Sequence, residues 1–357
     1  MLVAANPRLE INVGKIAGNT AQVVQRAGAN GVNIVGVTKV CCGAPEVARA
    51  VKQGGAAMLG DSRLENIARM KEAGIPGPYM LIRIPMQSAA AETVRLADYC
   101  LLSDVVTGRI LGAEARRQGK TMHVVIMVDV GDLREGFWPN QIPGAVTELA
   151  AVEGLAIAGL GVNLTCYGAI SPDENNLGLL ISLAEEIRKN NKLELPIVSG
   201  GNSSSLGMLW EGKLPGGINQ LRIGEGIMLG CETLERAPLP GLHTDVFTAV
   251  AEIVEVREKP SLPIGRIAQD VFGNVPVFED RGIHQRAILA LGRQDVIFDG
   301  LQPLDAGVEI LGGSSDHLLV EISGRTAAVG EELRFRPDYG AVLTLNTSPY
   351  VQKVYFS

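Results

Sequence analysis

Several common signatures are missing from this 357-residue sequence. Lysine and arginine total 32 against 39 aspartates and glutamates, the net charge is −7, and no basic run occurs, which excludes a surface built for nucleic-acid phosphates. The five cysteines (Cys41, Cys42, Cys100, Cys166 and Cys231) are an odd, scattered set without paired CxxC clusters, so neither a disulfide framework nor a zinc module is expected. Four histidines (His123, His243, His284 and His317) offer no metal-ligand grouping, and no metal is expected. Apolar runs such as residues 124–130 are too short to span a bilayer, and residues 1–8 lack a charged-then-apolar signal region. A soluble cytoplasmic protein with no membrane partner is the expectation. There is no internal repeat and no low-complexity segment.

What is present is a chain that is 46% hydrophobic and 20% charged, with 43 glycines, a composition suited to many buried strands and tight turns. Short apolar runs, the first at residues 9–13 and the second at 32–37, alternate with stretches of helical spacing through the first two-thirds of the chain. Strand, helix, strand, repeated about eight times, means a parallel sheet. Runs apolar on both faces, in that number, favour a (β/α)8 TIM-like barrel over an open doubly wound sheet, and functional residues are then expected at the strands' C-terminal ends. After Leu234 the texture changes to a proline-rich connector at 236–243. Strand-like runs at 248–256, 287–291, 318–322, 332–335 and 341–345 follow without helices, and read as a smaller, mostly antiparallel β domain. The expected division is 1–238 for the barrel and 239–357 for the β domain.

Lys39 ends the apolar stretch VNIVGVTK at 32–39, at the expected mouth of the second strand. Partial desolvation there favours a free amine able to attack an aldehyde, while a snorkelling strand-end lysine is the plain alternative. SGGNSSS at 199–205 puts glycines and hydroxyls where a helix begins, suited either to a phosphate or to simple capping. A second glycine turn, QLRIGEGI at 220–227, could complete a phosphate cup, with Arg222 pointing into the barrel toward an aromatic nitrogen or a buried carboxylate. Arg293, Asp295, Asp316 and His317 fall at strand ends of the β domain, where turn chemistry competes with function.

These pieces in their order resemble the alanine racemase family, and most closely its ornithine racemase branch. The stretches that carry the resemblance are PRLEIN at 7–12, VGVTKVCCG at 35–43, LGDSRLEN at 59–66 and MVDVGDLREG at 127–136, followed by GNSSSL at 201–206, RIGEG at 222–226, FEDRG at 278–282 and SSDH at 314–317. The resemblance implies a pyridoxal 5'-phosphate enzyme that interconverts L- and D-amino acids, ornithine or another basic amino acid first among them. It makes Lys39 the Schiff-base lysine, Ser203 or Ser204 with Gly224 the phosphate cup, and Arg222 the partner of the pyridine nitrogen. Tyr350 falls where the family has a tyrosine on the phosphate, and Arg134 matches the arginine that positions the substrate carboxylate. Asp316 matches an aspartate contributed by a partner subunit, so a head-to-tail homodimer is expected.

The sequence also departs from the alanine racemases. Ile264-Gly265 stands where they carry a catalytic tyrosine and glycine, Asn163 replaces a histidine against the cofactor ring, and Met127 replaces a modified lysine behind the carboxylate arginine. With the tyrosine gone, Asp316, His317 and Cys42 are the candidates for the opposite-face base. A cationic substrate side chain would need a carboxylate, for which Asp132, Glu135, Glu225 and Asp295 are available. The competing readings are an alanine or broad-specificity racemase, a D-amino-acid aldolase or dehydratase, a non-enzymatic pyridoxal-phosphate homeostasis protein, and a cofactor-free barrel.

Overall fold

A computed structural model describes residues 7–269 and 272–357. Residues 1–6, most of the stretch read above for a signal region, lie outside the described residues. The chain forms two compact units: Val13–Thr244, and a second made of residues up to Asn12 with Asp245–Ser357.

The first described strand, β1 (Arg8–Asn12), corrects the expectation that residues 9–13 open the barrel. It pairs antiparallel with β10 (Phe247–Pro260) and parallel with β16 (Gln352–Phe356), inside the second unit. Leu9 and Ile11 are fully buried, while Arg8 is held by Glu10 and Glu332. This half-buried alternation marks an antiparallel sheet, whereas a parallel barrel strand is buried on both faces.

The barrel therefore opens with β2 (Asn33–Val37) and continues through β3 (Met58–Asp61), β4 (Tyr79–Leu81), β5 (Tyr99–Leu102), β6 (Met122–Met127), β7 (Leu155–Gly161), β8 (Ile197–Ser199) and β9 (Gln220–Ile223). All pairings are parallel, and β2 against β9 closes the ring. Val35, Met80, Leu101, Val125, Met127, Ala158 and Ile197 pack as one buried cluster, so the interior is filled by side chains from six strands. Met127, at the place of the family's modified lysine, is part of this apolar filling. Helices between the strands start at side-chain caps where the sequence supplies them. Asp104 accepts from the Thr107 N–H at 2.6 Å, and Asp173 with Asn176 forms a reciprocal capping box.

The second unit is an antiparallel sheet in the order β12 (Leu301–Pro303), β15 (Glu332–Pro337), β10, β11 (Ile283–Leu289), β14 (Leu318–Ile322), β13 (Val308–Gly313). Residues 341–345, expected as a strand, lie inside the helix Tyr339–Thr347. Asp338 accepts from the Ala341 N–H at 2.8 Å and nucleates the turn, and Thr344 and Thr347 bond back to carbonyls four residues earlier. Local capping there outweighs a β-like composition. Among the described residues no helix is long and apolar enough to cross a membrane.

Candidate active site

Eight parallel strands send their C-terminal ends to one face of the barrel, and several of the candidate residues gather on that rim. Lys39 follows β2 by two residues and opens the short 3-10 helix Lys39–Cys41. Cys42 ends it in the left-handed region (φ 52°) and donates its N–H to the Lys39 carbonyl at 3.1 Å. The turn is braced from β3 by Asp61, which is fully buried. Asp61 accepts from Thr38 Oγ1 at 2.7 Å, Asn66 Nδ2 at 2.9 Å and the Arg63 N–H at 3.0 Å. Burial pushes its carboxyl above the ordinary range, against the pull of those bonds. Asp61 and Asn66, both inside the stretch LGDSRLEN, had no assigned role in the sequence; a charged residue closing an apolar strand was the available signal. Burial likewise pushes up the neighbouring Cys41 thiol, which makes it unreactive.

Arg222, 4% exposed, lies on β9. Its guanidinium donates to Ser199 Oγ and to the Val162 carbonyl, each at 2.6 Å, and no carboxylate stands within ion-pair distance among the described residues. Of the two partners the sequence allowed, the buried carboxylate is thus absent. Burial lowers its pKa to about 10, still far above neutrality. Only two of five N–H donors are committed, which leaves donors for an acceptor brought by a ligand. Ser199 was missed as the support of Arg222; the hint was a hydroxyl ending the apolar strand β8.

Beside it, Asn202 caps the turn Ser203–Ser205 by accepting from the Ser204 N–H at 2.8 Å, and Ser203 Oγ accepts from the Gly226 N–H at 3.1 Å. Ser204 Oγ is buried with no partner, and so is Nδ2 of Asn163, whose Oδ1 accepts from Asn202 Nδ2 at 3.2 Å. A side chain at Gly224 would start 3.2 Å from Val37 Cβ, so glycine brings this turn tight against the end of β2, two residues from Lys39. Ser203, Ser204, Gly224, Arg222, Asn163 and Lys39 therefore share one rim.

Of the other expected residues, Arg134 is on the same face of the barrel and the rest belong to the second unit. Arg134, in the loop after β6, is exposed and paired with Glu135. Asp316 and His317 are exposed in the turn between β13 and β14, where Asp316 accepts from the Gln294 side-chain amide and from Ser315 Oγ. Tyr350 follows the helix Tyr339–Thr347 and is exposed, as is Ile264 at the place of the missing tyrosine. These last four belong to the second unit.

A family model for the N-terminal domain of alanine racemase matches residues 11–230. The chain is 44% identical over 350 residues to a lysine racemase of Thermotoga maritima, covering 98% of each. The chain belongs to the alanine racemase family. It is a pyridoxal-phosphate-dependent amino-acid racemase. An ornithine racemase of Acetoanaerobium sticklandii is 41% identical, over 97% of this chain and 99% of that one. An alanine racemase structure from Streptomyces lavendulae superposes with a TM-score of 0.78 at 20% identity, over 99% and 98% of the two chains. A D-threonine aldolase from Filomicrobium marinum, at 0.71 and 16%, shares the fold equally, so the fold is common to racemase and aldolase chemistry.

The residues present fit the family cofactor. An unpartnered buried hydroxyl at Ser204 beside the Gly224 turn suits a phosphate, and a buried guanidinium without a counter-ion suits a ring nitrogen that accepts a hydrogen bond.

Proposed function

We propose that this racemase interconverts the L and D forms of basic amino acids, lysine and ornithine first, as a cytoplasmic homodimer. Support for the substrate class is the full-length likeness to a lysine racemase and an ornithine racemase. The observation that carries the chemistry is Arg222, buried, with no carboxylate in ion-pair distance among the described residues, held by a hydroxyl and a carbonyl, and with a pKa of about 10 that leaves it protonated at neutral pH.

Ser203, Ser204 and Gly224 would hold the cofactor phosphate, Asn163 and Arg222 its ring, Tyr350 the phosphate from the β unit, and Lys39 its aldehyde carbon. Bound there, the cofactor supplies the electron withdrawal that acidifies the substrate α-hydrogen. Arg222 donates a hydrogen bond without surrendering its proton, so that withdrawal stays moderate and return of the proton to carbon is favoured over transamination. Arg134 would bind the substrate carboxylate. Lys39 would move the proton on one face of the α carbon, and Asp316, His317 or Cys42 on the other, with Asp316 delivered by a second copy. Cys42 lies three residues from Lys39, while Asp316 already serves local turn bonds. None of the five cysteines is in a disulfide, in keeping with a reducing compartment.

Borohydride reduction of the yellow holoenzyme should fix the label on Lys39, and an unreduced portion of the holoenzyme should abolish the optical rotation of L-ornithine and L-lysine faster than that of L-alanine. A label elsewhere, or a colourless protein that no added cofactor reconstitutes, overturns the site. Labelling without racemisation moves the chain to a carrier or lyase. In light scattering, a fully active monomer overturns the dimer.

A further inference from the structure

We propose that Asp132 is the counter-ion for the distal ammonium of the substrate, an inference that rests on the basic-amino-acid reading above. Four carboxylates could serve a cationic side chain, and the structure separates them. Glu135 is spent on Arg134, and Glu225 on Arg236. Asp295 accepts from Ser348 Oγ at 2.8 Å and from the Gly292 N–H at 3.2 Å, one bond to each oxygen. Asp132 differs from all three. It is 1% exposed, its Oδ1 has no partner at all, and its Oδ2 takes a single bond of 3.2 Å from the Tyr167 N–H. Among the described residues no cation pairs with it, and the nearest in sequence, Arg134, pairs with Glu135.

A buried carboxylate oxygen without a donor costs several kcal/mol, and a folded chain tolerates it where a partner arrives from outside. A primary ammonium, compact and carrying three donors, is that partner. Position agrees. Asp132 lies in the loop after β6, two residues before Arg134, and the loop after β7 covers it: the Tyr167 N–H binds its carboxylate and the Gly168 N–H binds its carbonyl at 2.9 Å. That covering loop begins beside Asn163 and carries Cys166, whose Sγ accepts from Asn202 Nδ2 at 3.5 Å, so it borders the Arg222 sector directly. Both loops are strained where they meet, with Leu133 (φ 56°), Thr165 (φ 68°) and Ala169 (φ 54°) in the left-handed region. The ammonium would replace the long Tyr167 bond and donate to the unused lone pairs of Oδ1, with residues 165–170 moving aside to admit it.

The test compares kcat/KM for L-lysine, L-ornithine and uncharged L-norvaline in wild-type holoenzyme and in Asp132→Asn. Preference for lysine and ornithine over norvaline should fall about 30-fold, or about 2 kcal/mol, the worth of a hydrogen bond to a charged group. Preference that survives in Asp132→Asn overturns the assignment of Asp132 while leaving the substrate class intact. A wild-type enzyme that prefers norvaline overturns the substrate class, and the proposal with it. Should Asp132→Asn not yield holoenzyme, Asp132→Glu carries the test: a carboxylate longer by one methylene suits the amine shorter by one methylene. The ornithine-to-lysine ratio then rises; an unchanged or lower ratio overturns the proposal.

Discussion

The two sides of the barrel rim are built differently. On the side formed by the ends of β8, β9, β2 and β3, the polar groups are mostly buried and tied to strand ends: Ser199, with the Val162 carbonyl just after β7, holds Arg222, Asn202 holds the turn of Ser203 and Ser204, and Asp61 holds Thr38 beside Lys39. On the side formed by the loops after β6 and β7, the chain carries three non-glycine residues at positive φ, and Tyr167 is 74% exposed. The first side suits a ligand that never leaves, and the second one that must enter and depart with every turnover. A single fold can thus keep its cofactor chemistry while changing its substrate, because the two tasks fall to different strand ends.

Breaking the cofactor side should cost most. Arg222→Glu exchanges a permanent donor for a group able to protonate the ring nitrogen. Racemisation should fall on the order of 10²–10³-fold, as for loss of one preorganised electrostatic donor, while pyridoxamine phosphate accumulates as the product of half-transamination, read by absorbance and chromatography. Equal loss of both reactions would show that Arg222 only shapes the site. Next comes the substrate side: in Gly168→Ala the new Cβ would sit 2.7 Å from the Asp132 carbonyl, so the covering loop must shift. KM for lysine should rise on the order of tenfold, in line with an overpacking cost of 1–3 kcal/mol, with cofactor affinity unmoved. A matching loss of cofactor would mean that the two sides are not separate.

A smaller effect, with opposite signs in two measurements, is expected at Ser204. Removing its unpartnered hydroxyl in Ser204→Ala should weaken cofactor binding about 5- to 10-fold yet stabilise the apoprotein by up to ~1 kcal/mol, because an unsatisfied buried group disappears. Fluorescence titration and urea unfolding of the apo form read the two quantities. The smallest effect is a pH dependence. Asp61 holds its proton more tightly when folded than when unfolded, so its contribution to stability is greatest in acid and is lost as pH rises through the raised pKa. The stability of wild type relative to Asp61→Asn should therefore decline as pH rises above the ordinary carboxylate range; a relative stability that increases with pH would contradict the direction of the shift.

Much of this architecture was legible in the residues. The barrel strands announce themselves because burial on both faces forces continuous apolar runs, with Lys39 just beyond β2, Arg222 near the end of β9 and Ser204 in the turn after β8. β1 was not legible: Leu9 and Ile11 are as apolar as any barrel strand, and only their distant partners in β10 and β16 assign them to the other sheet. Residues 341–345 misled for the converse reason, since Val342, Leu343 and Leu345 suit a strand and one cap at Asp338 decides for helix. Among the site residues, Asp132 was one acidic residue among four. Which carboxylate lacks a partner is a property of packing, and no spacing rule reports it.

The placement of β1 also fixes an order of events during synthesis. Its edges are closed by β10, more than two hundred residues later, and by β16, whose last residue is Phe356. A ribosome can deliver every strand from β2 to β9 while the opening segment still waits for both neighbours, so the barrel is free to close early and the second sheet has to close last. Deletion of β16 would then bare one edge of β1, and so injure a strand more than three hundred residues earlier in the sequence.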